Sequence, residues 1–303
     1  MGNKMFDRLI WQIIREVFGA GKPAQGFDES FGDPGIFGPS SVAWEIHADF
    51  VPMLIGGISA LIMQSLHPDA LAGVWDHSNF RQDIKGRLNR TASFIAATTY
   101  GPTAMAMGAI ERVKGIHEKI IGLDEFSRPY RANDPHLLAW VHLVETTCFL
   151  RAFVAYNNPH LSRQRQDQYF AEMRLIGESL GCQNLPANYA QAYQQIFTYR
   201  NELYYGERAK VVVDLLENYP VTPLFQPFFK LIMRAALMNL PDWALTLIGH
   251  ESFAAYDRTF VTLAVRALSR QARSTLGDAT IAARAMRRVT AVTHDNDTFQ
   301  IAS

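Results

Sequence analysis

The sequence predicts an all-α protein folded as a single helical domain. Three observations predict the helical class. Apolar residues recur at helical spacing along most of the chain. Alternating β-branched runs bounded by Asn-Gly or Asp-Gly turns are almost absent. Capping residues also stand where several periodic runs begin or end. The 303 residues suffice for one large core or two modest ones. No long hydrophilic linker, internal repeat or low-complexity segment divides them, so one domain is the simpler reading.

The elements follow in order. An amphipathic helix is expected over Lys4–Phe18, then a Gly- and Pro-rich loop from Gly19 to Ser41 with Asp33-Pro34-Gly35 as its turn. Helices are expected over Trp44–Leu66, Phe80–Thr99, Thr103–Gly122, Pro135–Tyr156, Ser162–Leu180 and Tyr189–Leu203. Asp134 before Pro135 reads as an N-cap with proline at the first helical position. Ser162 is a second N-cap, and Gly181 closes the helix before it. After Pro220 the chain is rich in proline and phenylalanine, and two or three helices should reach about Val292. Residues after Thr293 are expected to fray. The chain thus divides into an N-terminal helix and loop (1–40), a helical core (41–220) and C-terminal helices packing on it (221–303). Between Arg266 and Arg288 six arginines face a single acid, Asp278. A solvated helix face is the main reading of that stretch, and a basic surface touching a membrane or partner the minor one.

Composition excludes some functions. Lys+Arg and Asp+Glu are both 29, so there is no electrostatic reason to expect nucleic acid as a partner. The two cysteines, Cys148 and Cys182, form no CxxC pair, which argues against zinc or iron–sulfur sites and for a reducing, cytoplasmic setting. Charges interrupt every apolar run of the first 19 residues, so no secretory signal is read there. Phe6 stands where a myristoylation signal needs Ser or Thr. The most apolar stretch, Phe50–Leu66, holds Pro52, Gly56, Gly57, Ser59 and Gln64. It reads as a buried core helix rather than a transmembrane segment, leaving peripheral membrane contact open. The 19 Phe, 11 Tyr and 10 Met suit a roomy apolar interior or plain core packing.

Candidate chemistry concentrates between His67 and His142. Arg87 and Thr91 lie four apart and share a helix face. A guanidinium and a hydroxyl placed so can bind a carboxylate or propionate, or Arg87 can simply pair with Asp83 or Asp76. His117 sits beside an apolar stripe of Val113, Ile116, Ile120 and Ile121, where a hydrogen-bonded core histidine is the ordinary outcome. No HxH or HExxH metal pattern, GxSxG elbow, Walker loop or Rossmann fingerprint occurs. Haem needs only one protein histidine, because the porphyrin supplies four of the iron ligands. His136 falls in a first helical turn and should be exposed. His142, between Val141 and Leu143, should be a core histidine satisfied by a carbonyl or a carboxylate.

These residues carry a resemblance. His67-Pro68, Gly73-Val74 with His77-Ser78-x-Phe80, Arg87-x-x-Arg90-Thr91, Val113-x-x-x-His117 with Gly122, and Tyr130-x-Ala132-x-Asp134-Pro135-x-Leu137-Leu138-x-Trp140-Val141-His142 follow one another in that order. The series resembles the helical domain of the MpaB-type and latex-clearing rubber oxygenases, over about Ser41–Tyr193. The resemblance implies a globin-like fold binding haem b through one histidine, which His117 matches as the metal ligand. Arg87 and Thr91 match the distal arginine and threonine. Arg90 takes the place of a lysine that caps the iron in the rubber enzymes, and a guanidinium cannot do so. The distal acid/base glutamate of those enzymes has no aligned counterpart. His67, Asp76 and His77 are the nearest polar candidates upstream of Arg87, Asp76 and His77 for catalysis and His67, with Arg87 and Arg90, for holding the cofactor. The implied activity is a haem-dependent oxygenase using dioxygen on an apolar, perhaps unsaturated, substrate. A haem-binding protein without turnover and a haem-free module for hydrophobic ligands are the other readings.

Overall fold

The computed structural model describes residues 4–18 and 25–291. Its helices are α1 (Lys4–Phe18), α2 (Val42–His47), α3 (Phe50–Ser65), α4 (Pro68–His77), α5 (Ile84–Tyr100), α6 (Thr103–His117), α7 (Pro135–Tyr156), α8 (Arg163–Leu180), α9 (Tyr189–Thr198), α10 (Glu207–Glu217), α11 (Gln226–Asn239), α12 (Asp242–Leu247), α13 (Ala255–Leu276) and α14 (Ile281–Thr290). Between α6 and α7 lie two short strands, β1 (Ile121–Leu123) and β2 (Pro129–Arg131). The all-α class holds. The described part of the Gly19–Ser41 loop contains the expected turn, in which Asp33 Oδ1 accepts the Gly35 N–H at 2.8 Å. Fraying after Thr293 lies outside the described residues.

The core is built on α3 and α7, which make the largest helix–helix interface. Gly56 permits it. A Cβ there would stand 2.7 Å from the Phe149 ring and 2.9 Å from the Phe149 backbone, so only glycine lets the axes come this close. Helix α11 packs on the other side of α3, and α13 on α3, α7 and α11. Helix α7 is long and apolar enough to cross a membrane, and α3 with α4, bent by 103°, passes the same test as a pair. Both α3 and α7 are mostly buried within the fold, as core helices are.

The structure corrects several expectations. The helix expected over Trp44–Leu66 is two helices, because the chain turns out of the helix at Asp49. The Asp49 carboxylate is buried and accepts hydrogen bonds from Ser269 Oγ at 2.7 Å, Asn157 Nδ2 at 2.6 Å and the Arg273 guanidinium. Tertiary partners on α13 and after α7 thus override local periodicity. Helices α4, which Pro68 starts at its first position, and α10 were not foreseen. The stretch Thr103–Gly122 leaves the helix after His117 and enters an antiparallel hairpin in which Gly122 pairs with Tyr130. The Tyr130 ring lies where a Gly122 side chain would stand. Four α-helices, not two or three, follow Pro220.

The arginine-rich C-terminal stretch is not a purely solvated face. Arg288 is 1% exposed and donates to the carbonyls of Phe27, Asp33 and Tyr100 at 2.8–2.9 Å. Arg273 holds Asp49, Arg284 pairs with Asp28, and Arg266 donates to the Ala155 carbonyl at 3.0 Å. By contrast, the capping residues do what their chemistry requires. Asp134 accepts the N–H of His136, Ser162 accepts that of Arg165, and Gly181 ends α8 at a φ of 102°.

Replacing Asp49 by Ala removes the acceptor shared by Ser269, Asn157 and Arg273. We expect Asp49→Ala to lower unfolding free energy by about 2–4 kcal/mol in urea titrations, since it strands a cation and two buried donors. A loss below about 0.5 kcal/mol, the level of a bland surface change, would show that the α2–α3 break does not depend on this carboxylate.

Candidate functional site

A cavity of about 1000 Å³ opens between α3, α4, α5, α6, α7 and α8. This is the upper end of the range for small-molecule sites, roughly 300–1000 Å³. Its walls are largely apolar, with Leu61, Ile84, Val141, Ile176 and Leu180 among them. A few polar side chains interrupt them, and these define the site.

His117 is in the last turn of α6 and lines the cavity. Its Nδ1 is buried without a hydrogen-bond partner. Burial, then the positive charge of Arg87, pushes its pKa below the ordinary histidine value. At neutral pH the ring is therefore uncharged and keeps a free lone pair, the form that ligates metals. The residues just after it are tied down: Ala132 donates its N–H to Ile120 O at 2.9 Å, and both line the cavity.

Helix α5 packs on α6 and brings Arg87 and Thr91 to the same cavity, as their shared face requires. The Arg87 guanidinium is desolvated, which lowers its pKa, and its Nε is buried without a partner. It does not pair with Asp83 or Asp76. Thr91 Oγ1 donates to the Arg87 carbonyl at 3.3 Å, so its lone pairs remain available as acceptors. Arg90 is exposed at the rim, 3.6 Å from Asp83. Asp76 and His77, at the end of α4, are exposed and border the same rim. His67 is elsewhere. It precedes α4, is absent from the cavity wall, and places Nε2 3.4 Å from Glu202, whose carboxylate also accepts from His136 at 2.9 Å. That contact is an ion-pair distance without hydrogen-bond geometry, since both ring nitrogens of His67 lack a proper partner.

Two cavity residues escaped the sequence reading as active groups. His142 donates to the Met173 carbonyl, as a core histidine should, yet it also lines the cavity, and burial pushes its pKa down to about 4. Three residues on, Glu145 lines the same cavity. Burial raises its pKa from 4.5 to about 7, against the opposing pull of Arg87 and a hydrogen bond from Gln64. The signal was present: Glu145 is the one carboxylate in the 22-residue apolar helix α7.

The chain matches the family model described as the ER-bound oxygenase mpaB/B′ and rubber oxygenase catalytic domain over residues 44–293. The chain belongs to this family. The match takes in every cavity-lining element and runs through α14, beyond the stretch that carries the quoted motifs. Membership makes the protein an oxygenase catalytic domain, hence an oxidoreductase. No curated protein and no solved structure matches the chain.

Glu145 also makes a test of its own surroundings. Its folded pKa lies above its unfolded value, so the folded state holds the extra proton between about 4.5 and 7, and stability falls as pH rises through that window. Glu145→Gln removes this dependence. Between pH 5 and 8 the variant should gain on the parent by up to about 3 kcal/mol in urea unfolding. A constant difference across that range would mean that the carboxyl titrates normally.

Proposed function

We propose that the protein is a haem b-dependent oxygenase acting on an apolar small molecule, with His117 as the iron ligand. The observation that carries this reading is an uncharged, unpartnered imidazole on the wall of a large apolar cavity. Among the described residues no group of three or more His, Cys, Asp or Glu side chains could hold a metal ion. A lone histidine is the donor set expected for a metal whose other ligands arrive with a porphyrin. The buried, orphaned Nδ1 and the cavity volume both fit such a group. When bound, haem would supply the iron chemistry that activates dioxygen.

The chain's own residues supply the rest. Burial and Arg87 keep His117 neutral, so no proton need be displaced for its lone pair to bind. Arg87 presents unpaired N–H donors to a largely apolar cavity, where they act more strongly than in bulk solvent. Thr91 offers an acceptor oxygen one turn away. Glu145 holds a proton near neutral pH and is placed to give or take it. Leu61, Ile84 and Ile176 exclude water and favour an apolar substrate. The exposed Arg90, Asp76 and His77 at the rim meet what enters.

The absorption spectrum of the freshly purified protein, with and without dithionite, tests the reading. A Soret band that shifts on reduction is expected. His117→Ala should cut haem content by about tenfold or more while the circular dichroism stays helical. Full haem retention with an unchanged spectrum would reject His117, and no Soret band after added haemin would reject haem. Oxygen consumption with unsaturated lipids or isoprenoids then separates turnover from simple binding.

A further inference from the structure

Arg87 and Glu145 both line the cavity, and they do not meet. Each feels the other's field. Yet no nitrogen of Arg87 comes within the 4.0 Å of a Glu145 oxygen that defines a salt bridge. Arg87 Nε is buried with no acceptor at all. Both side chains line the same cavity, so the space between them belongs to whatever the cavity holds. A buried cation and carboxyl held apart, with donors left over, are an incomplete hydrogen-bonding set.

We propose that the substrate carries a carboxylate, which completes this set by docking between Arg87 and Glu145 with its apolar body along the cavity wall. The inference rests on the cavity being the substrate site, but it does not require the iron. The charge count favours an anion. The groups that feel Arg87 are Arg90, a second cation, and Glu145. Those that face Glu145 are Gln64 on α3, Tyr169 on α8 and, on its own helix α7, Cys148, all neutral. Burial keeps Glu145 substantially protonated at neutral pH, so it leaves Arg87 under-compensated. A guanidinium accepts a carboxylate through two parallel N–H···O bonds, and a protonated Glu145 can donate a third. An alcohol or an ester brings no charge and forgoes the paired bonds.

The test is calorimetric titration of the protein as purified, its haem content recorded, with oleate, oleyl alcohol and methyl oleate below their aggregation limits. Oleate should bind at least about tenfold more tightly than either neutral analogue. Arg87→Met should erase that preference while leaving oleyl alcohol affinity within about threefold. Glu145→Gln should keep or strengthen it, most visibly at pH 8, where the parent carboxyl has lost its proton. Equal affinities for acid and alcohol in the parent protein overturn the proposal without recourse to any variant. So does an Arg87→Met protein that still prefers the acid, or a Glu145→Gln protein that loses the preference. A preference that fails in protein with a Soret band rejects the carboxylate site alone, for example because a propionate already holds Arg87. A preference that persists without one rejects the haem reading alone.

Discussion

The close contact of α3 and α7 at Gly56 and Phe149 is the constraint from which the rest of the molecule follows. Because the two helices touch backbone to side chain there, the relative position of their remaining residues is fixed. Gln64 near the end of α3 then donates to Val141 O at 3.1 Å and to Glu145, both on α7. The cavity is lined by these same contacts, with α4, α5, α6 and α8 completing the wall. A side chain at position 56 would push apart the very helices that hold Gln64 and Glu145 in register.

Buried charge in this protein falls into two kinds, and the difference marks the site. Asp49 and Arg288 are almost fully buried, and each is held by three partners. They are structural and hold the N-terminal and C-terminal parts of the chain against the core. Arg87, Glu145 and His117 are partly buried on the cavity wall, and Arg87 Nε and His117 Nδ1 are buried there without a hydrogen-bond partner. Desolvating a polar group without a partner costs on the order of 1–3 kcal/mol, more for a charge. Unmet groups that share one cavity can be met together by a single ligand.

Much of this was legible in the sequence, and what was not has a physical cause. The α7 and α8 boundaries were read correctly because Asp134-Pro135, Ser162 and Gly181 act locally. The break at Asp49, the short hairpin after His117 and helix α10 were not, because their reasons are distant: a carboxylate meets partners more than 100 residues away, and three-residue strands carry too little periodicity. Arg87, Thr91 and His117 share a cavity as the motifs implied. His67 does not, since the proline that follows it starts a new helix and turns the imidazole toward Glu202. Glu145 was invisible as an active group because it stands alone in an apolar helix, outside the motifs that carry Arg87, Thr91 and His117. The fold instead brings a carboxylate from 58 positions downstream to the guanidinium.

The contrast between Arg87 and Arg90 shows how the fold assigns roles that composition cannot. Both belong to α5, three residues apart, and both touch the cavity lining. Three residues is close to one helical turn but falls short of it, so the two side chains diverge around the axis by about 60°. That angle is enough to send Arg90 out to Asp83 and solvent, while Arg87 stays inside with no acceptor on Nε. Burial is the larger influence on both neighbours: it lowers the pKa of His117, where the inner arginine adds to the shift, and raises that of Glu145, where the arginine opposes it. Moving that charge one turn along α5 would leave burial alone to act on both.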